Sequence, residues 1–231
     1  MGNPHVSAEV RPAFYALRSG GWRDYVTLLH PPYTLWHLSY VAVGAGLAPH
    51  MKWGLLGWTT LAFFLAMGIG AHALDELQGR PLRTCIPDRM LVALAVASIA
   101  GACAIGVVVA LDSTLWLLAF VGFGAVVVVA YNLELLGGAI HTSVMFAFAW
   151  GAFPVLTGYF ASAETLRGEA VAAAAFAFLT SYAQRVLSTP VRFARRNAGD
   201  PALARSAEIG LKLIAAAMPA LAGALLLARV P

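Results

Sequence analysis

The stretch GAHALDELQGRPLRT, residues 70–84, closes one strongly apolar run and precedes another. Asp75 and Glu76 follow His72 by three and four residues, so a helix that persists through Glu76 puts all three on one face. An imidazole and two carboxylates placed together suit a divalent metal or a metal-bound phosphate. Gly79 and Pro81 then break the helix and release Arg80 and Arg83 into a polar loop. The expectation is acid, imidazole and guanidinium groups converging at one membrane surface.

The flanking sequence sets that surface in a bilayer. Of 231 residues, 60% are hydrophobic and 11% charged, and mean hydropathy is +0.76; a soluble domain needs more charge than this on its surface. The reading is an all-α, multi-pass integral membrane protein, in the cytoplasmic membrane if the source is prokaryotic. Spans are expected at 34–48, 53–74, 90–111, 114–132, 139–162, 169–186 and 207–230, each close to the ~20 residues a helix needs to cross the hydrocarbon. Seven helices form one domain over 1–231, with 1–33 as a polar cytoplasmic or interfacial lead-in that carries an interfacial helix around 13–29. Small residues at 172–175 and 215–217, with Gly68 and Gly70, permit close helix packing in lipid. No signal peptide is read in the polar, aromatic start. Cys85 and Cys103 are too few and too differently placed for a disulfide or a zinc site.

Charge orients the bundle. Arg11, Arg18, Arg23, Arg80, Arg83, Arg89, Arg185, Arg192, Arg195, Arg196 and Arg205 fall at one set of helix ends, Lys52, Arg167 and Arg229 at the other. By the positive-inside rule the N-terminus is cytoplasmic. The net charge of +4 concentrated there points to anionic head groups or phosphates, and nothing interleaves aromatic with basic residues as a nucleic-acid binder does. His37, Tyr131, Asn132, Glu134, His141, Tyr182, Gln184 and Arg185 join His72, Asp75 and Glu76 at the same end. Ionisable groups at membrane depth cost at least ~2.5 kcal/mol each at mid-bilayer, so a one-sided collection predicts a polar cavity open to that side.

Three passages resemble the UbiA superfamily of intramembrane prenyltransferases. His72, Asp75, Glu76 and Arg80-Pro81-Leu82 echo that family's Asn-Asp-x-x-Asp motif and the Arg-Pro-Leu after it. Tyr131-Asn132-Leu133-Glu134, with the Gly- and Pro-containing run 150–158, resembles its Tyr-x-x-x-Lys turn and following helix. Residues 181–196 stand where its second Asp-rich motif belongs, in the loop after helix six. The likeness covers seven of the family's nine helices. It implies an isoprenoid diphosphate held through Mg²⁺, with Asp75, Glu76 and Tyr131 catalytic. His37, Arg80, Arg83, Asn132, Tyr182, Gln184, Arg185 and Arg192 would bind substrate, the acceptor lying near Trp36, His37 and Tyr131. The chain departs from the pattern at three points: His72 stands for the Asn, Glu134 for the Lys, and no carboxylate lies between Ser181 and Arg196.

Two enzymatic readings therefore stand side by side. In one, Arg80, Arg185 and Arg192 replace the missing second metal by charge-assisted hydrogen bonds to phosphate. In the other, His72, Asp75, Glu76, Glu134 and His141 hold iron, manganese or zinc for redox or hydrolytic chemistry on a lipid. A non-catalytic lipid-binding protein is the third reading, and homo-oligomerisation is left open by the sequence.

Overall fold

The computed structural model describes residues 11–196 and 201–230, and these fold as helices joined by short loops. In chain order they are α1 (Trp22–Leu28), α2 (Pro31–Leu47), α3 (Trp53–Leu77), α4 (Asp88–Asp112), α5 (Leu117–Asn132), α6 (Ser143–Ala163), α7 (Gly168–Arg196) and α8 (Pro201–Leu227). By length and composition α3, α4, α6, α7 and most of α8 are long and apolar enough to cross a membrane; α5 is apolar but shorter. Exposed Val92, Val96, Val108, Leu111, Val126 and Leu179 on their outer faces suit lipid rather than water.

α6 is the central post. Its most apolar window is 72% buried, against 22–33% for the other four. α2 crosses it at a backbone contact that two glycines create: a Cβ on Gly44 would stand 2.1 Å from the Val155 carbonyl oxygen, and one on Gly158 would stand 2.2 Å from that of Val41. Small residues bring helices together where no hydrophobic force acts between them. Gly151 does the same toward α7, its Cβ position lying 2.4 Å from the Ala177 carbonyl oxygen.

Two helices contain π-helical segments, Phe64–Ala71 in α3 and Ala147–Ala152 in α6. The second runs into Pro154, which has no N–H to give the carbonyl four residues back, that of Trp150. That carbonyl is left for a side chain on another helix.

Several boundaries differ from the sequence reading. The interfacial helix is only α1, because Pro12 precedes and Gly20 and Gly21 take positive φ of 113° and 65° before it starts. α6 begins at Ser143, where the Thr142 hydroxyl accepts the Met145 N–H at 3.1 Å, so His141 lies in the preceding loop. α7 continues past the expected end at 186 to Arg196, so Arg192 projects from the helix, as Tyr182, Gln184 and Arg185 do, and not from a loop.

Candidate functional site

The arginine-rich ends of the helices enclose a cavity of about 390 Å³. Its walls come from the 12–15 segment, the starts of α2 and α6, the ends of α3 and α5 with the loops that follow them, and the last turns of α7. At the opposite end of the bundle Lys52 pairs with Glu164 at 3.0 Å, and the Arg229 Nε donates to the Gly46 carbonyl at 2.8 Å.

The opening stretch divides its charges between two tasks. His72 and Asp75 line the cavity. Glu76, expected beside them, does not: it is 1% exposed and turns into the loop that follows. Its Oε2 accepts the Leu82 N–H at 2.9 Å, and its Oε1 accepts the Thr84 N–H at 2.9 Å and the Thr84 hydroxyl at 2.8 Å. The reason is the tight winding forced by Gly79, Arg80 and Arg83, all at positive φ, which aims those donors inward. Arg80 is held in the same way. It donates to the Ile86 carbonyl at 2.5 Å and pairs with Asp88, so it does not line the cavity, whereas Arg83 does. Asp24, which no motif singles out, is buried and braces the loop from α1, its Oδ2 accepting the Cys85 N–H at 2.9 Å.

α7 supplies the unengaged charge. Gln184, Arg185, Ser188, Arg192 and Arg195 face the cavity, while Tyr182 is 39% exposed on the other side and stacks on Phe178. The Arg185 guanidinium lies 5.3 Å above the Phe146 ring. Arg195 is tied to Glu208 and to the Arg11 carbonyl. Neither Arg185 nor Arg192 has a hydrogen-bond or ion-pair partner among the described residues. Nor has the Asp75 side chain, for which Arg192 and Arg185 are nearby opposite charges.

From α5 and its loop come Tyr131, Asn132, Glu134 and His141. The Asn132 amide donates to the Val128 carbonyl at 2.7 Å. His141 Nδ1 donates to the Tyr131 carbonyl at 3.0 Å, stands 3.8 Å from Glu134, and its ring stacks on Tyr131 at 4.3 Å between centroids. Among the described residues no three His, Cys, Asp or Glu side chains gather closely enough to hold a metal ion by themselves. Mg²⁺ is commonly held by one or two carboxylates and substrate phosphates, a demand Asp75 fits and Glu76, with both oxygens occupied, does not.

Four histidines line the cavity. His37 Nδ1 donates to the Trp150 carbonyl freed by Pro154, at 2.8 Å, and His72 Nδ1 to the Gly68 carbonyl at 3.0 Å. His30 stacks on His72, centroids 4.0 Å apart, and its Nδ1 meets the Tyr15 hydroxyl at 2.6 Å. Burial pushes the Tyr15 phenol well above its usual range; burial first, then His72 and His37, push the His30 imidazole well below its own. Both are neutral at pH 7. Buried polar atoms normally find partners, yet His30 Nε2, Tyr131 Oη and Gln184 Oε1 have none among the described residues, and all three residues line this one cavity. Sequence gave no sign of His30, whose neighbours in the chain are not ligands.

Deeper in the bundle an apolar pocket of about 110 Å³ lies between α3, α4, α5 and α6, lined by Phe63, Met67, Phe120, Val128 and Phe153 among others. Trp150 belongs to both walls, so the polar cavity and the apolar pocket meet across one indole. An arrangement of free guanidiniums on one side and hydrocarbon on the other can bind an amphiphile with an anionic head. No family model, curated protein or solved structure matches the chain.

Proposed function

We propose that the chain is a UbiA-like membrane enzyme that transfers or converts the prenyl group of an isoprenoid diphosphate. In this reading seven helices cross the bilayer, the arginine-rich end faces the cytoplasm, and the head group binds among Arg83, Arg185 and Arg192. The isoprenoid chain enters the apolar pocket behind Trp150. One observation carries the reading: unpaired guanidiniums and unpartnered buried polar atoms share a single cavity that backs onto an apolar pocket. A polyanion supplies what the guanidiniums lack, since a planar guanidinium donates two parallel hydrogen bonds to phosphate oxygens. The hydrocarbon chain removes apolar surface from water at about 25 cal/mol per Å².

The residues have separable parts. Arg185 and Arg192 neutralise the diphosphate as its bond to carbon lengthens and negative charge concentrates on the leaving oxygen. Asp75 would hold a Mg²⁺, which when bound would supply further charge neutralisation of the leaving group. Glu76 shapes the loop that carries Arg83. The aromatic walls of Tyr131, Phe146 and Trp150 exclude water from the reacting carbon.

The test is a titration of geranylgeranyl diphosphate, geranylgeranyl monophosphate and geranylgeraniol into the protein in lipid nanodiscs with Mg²⁺. Affinity should fall by at least ~10-fold at each loss of phosphate, because each phosphate removes charge-assisted hydrogen bonds. Equal affinity for all three would mean that only the hydrocarbon is recognised, and the reading would be abandoned.

A further inference from the structure

Residues 11–20, which precede α1, run between two walls of the polar cavity. At one end the Gly20 N–H donates to Asp24 Oδ1 at 2.9 Å, and the other oxygen of that carboxylate holds the Cys85 N–H, so this end is tied to the loop after α3. At the other end the Arg11 carbonyl accepts a hydrogen bond at 2.8 Å from Arg195 of α7, three residues beyond Arg192. The loop after α3 and the last turns of α7 are both walls of the cavity, and Pro12, Ala13, Phe14 and Tyr15 line it too. A segment fastened to both walls and facing the space between them bridges that space.

The bridge is held by side chains far more than by backbone. Residues 11–20 form no helix, and among the described residues one backbone hydrogen bond closes within them, from the Ala16 N–H to the Ala13 carbonyl at 3.1 Å. The Leu17 N–H donates to the Thr27 hydroxyl of α1 at 3.0 Å, so Leu17 and Gly20 are both anchored to α1. Residues 11–15 have other fastenings. Lys212 Nζ stands 4.9 Å over the Phe14 ring. Tyr15 packs edge-on against Tyr33 with centroids 5.5 Å apart, and its hydroxyl meets His30 Nδ1 at 2.6 Å. Donation by the phenol leaves one buried group without a partner among the described residues, the His30 Nε2–H, whereas donation by the ring would leave two, so Tyr15 is the donor. Asp75, Arg192 and Arg195 are close enough for their charges to act on Tyr15. Tyr15 therefore stands beside the charges an anion would meet.

A segment with few backbone bonds opens at lower free energy than the helices around it. We infer that residues 11–15 are a strap over the polar cavity, that the Tyr15–His30 hydrogen bond is its catch, and that the strap lifts from Arg11 while Leu17 and Gly20 stay anchored to α1. Lifting admits a solute, and closing shuts water out behind it. The strap governs access for any anion, so this inference does not rest on the transferase reading.

The experiment measures how fast an anionic thiol reagent, 2-sulfonatoethyl methanethiosulfonate, enters the cavity of the full chain in lipid nanodiscs. Ser188 lines the cavity and its hydroxyl bonds only within its own helix, so Ser188→Cys places a thiol there. Cys103→Ala removes the thiol of the apolar pocket, and the native Cys85, exposed and outside the cavity, is the reference in the same molecule. With the strap intact, the thiol at 188 should react at least ~10-fold more slowly than Cys85, because reaction waits for opening. Adding Tyr15→Phe removes the catch and should raise the rate at 188 about fivefold, the worth of one net hydrogen bond. Cys85 should stay within about twofold, being distant from the catch. A thiol at 188 that reacts as fast as Cys85 with Tyr15 in place means that the cavity is open beside the strap and overturns the inference. A slow rate that Tyr15→Phe leaves unchanged makes 11–15 a fixed wall and overturns it as well, as does an equal acceleration at Cys85, which would be general loosening. Should Tyr15→Phe fail to fold, Lys212→Met decides instead: it frees the strap at Phe14 and should raise the rate at 188 about threefold, and no change overturns the strap.

Discussion

The loop after α3 and the last turns of α7 both carry arginines to the same end of the bundle, and Arg80 on the one and Arg185 and Arg192 on the other are used in opposite ways. At the loop, Glu76 from the last turn of α3 accepts three hydrogen bonds, and Arg80 donates to a backbone carbonyl and pairs with Asp88. On α7, Arg185 and Arg192 face a cavity with no such partner among the described residues. A satisfied charge holds a shape, whereas an unsatisfied one at the wall of a cavity is held in reserve for a ligand. Charge composition alone does not distinguish the two.

Substitutions at four positions sharpen or break that contrast. The largest effect is expected for Glu76→Gln. The amide keeps one acceptor but sets its NH₂ against donors, so about 3 kcal/mol of stability is lost, seen as a lowered melting midpoint in detergent. If the midpoint holds and only ligand binding falls, Glu76 belongs to the site after all. Arg192→Ala should leave the melting midpoint unchanged and weaken geranylgeranyl diphosphate about 30-fold, the loss of one charge-assisted pair, with Arg192→Lys in between. A stability loss without a binding loss would make α7 another structural region.

Arg80→Ala reverses the pattern at smaller scale. About 1 kcal/mol of stability should go with its bond to the Ile86 carbonyl and its partly exposed ion pair, while diphosphate affinity changes less than about threefold. A tenfold fall in affinity at constant stability would return Arg80 to the cavity. Tyr182→Phe is the smallest. Its ring is exposed away from the cavity, so neither stability nor binding should move by more than about 0.5 kcal/mol, and a clear binding defect in calorimetry would show that the helix face has been misjudged.

Much of the architecture was legible beforehand. Apolar runs near 53–74, 90–111, 169–186 and 207–230 became helices of membrane-crossing length, because nothing but a helix satisfies the backbone of such a run in hydrocarbon. The helix stop at Gly79 and Pro81 was legible too, since α3 ends at Leu77. Less legible was α7. Arginines beyond 186 read as a loop, yet the helix carries them outward to Arg196, because a polar helix is stable once one face packs on a neighbour.

The candidate site was visible as a neighbourhood and hidden as a geometry. Sequence by itself determined which ionisable residues lie at one end of the bundle, because hydropathy and arginine placement fix where each segment meets water. It could not say which of them are spent. Whether Asp75 or Glu76 faces the cavity depends on backbone donors at Leu82 and Thr84 that a tight turn brings back. How the His37 ring is oriented depends on the Trp150 carbonyl, 113 residues away. Hydrogen bonds reach only about 3 Å and need alignment, so the division between charges that build the protein and charges left for a ligand is made by the tertiary structure alone.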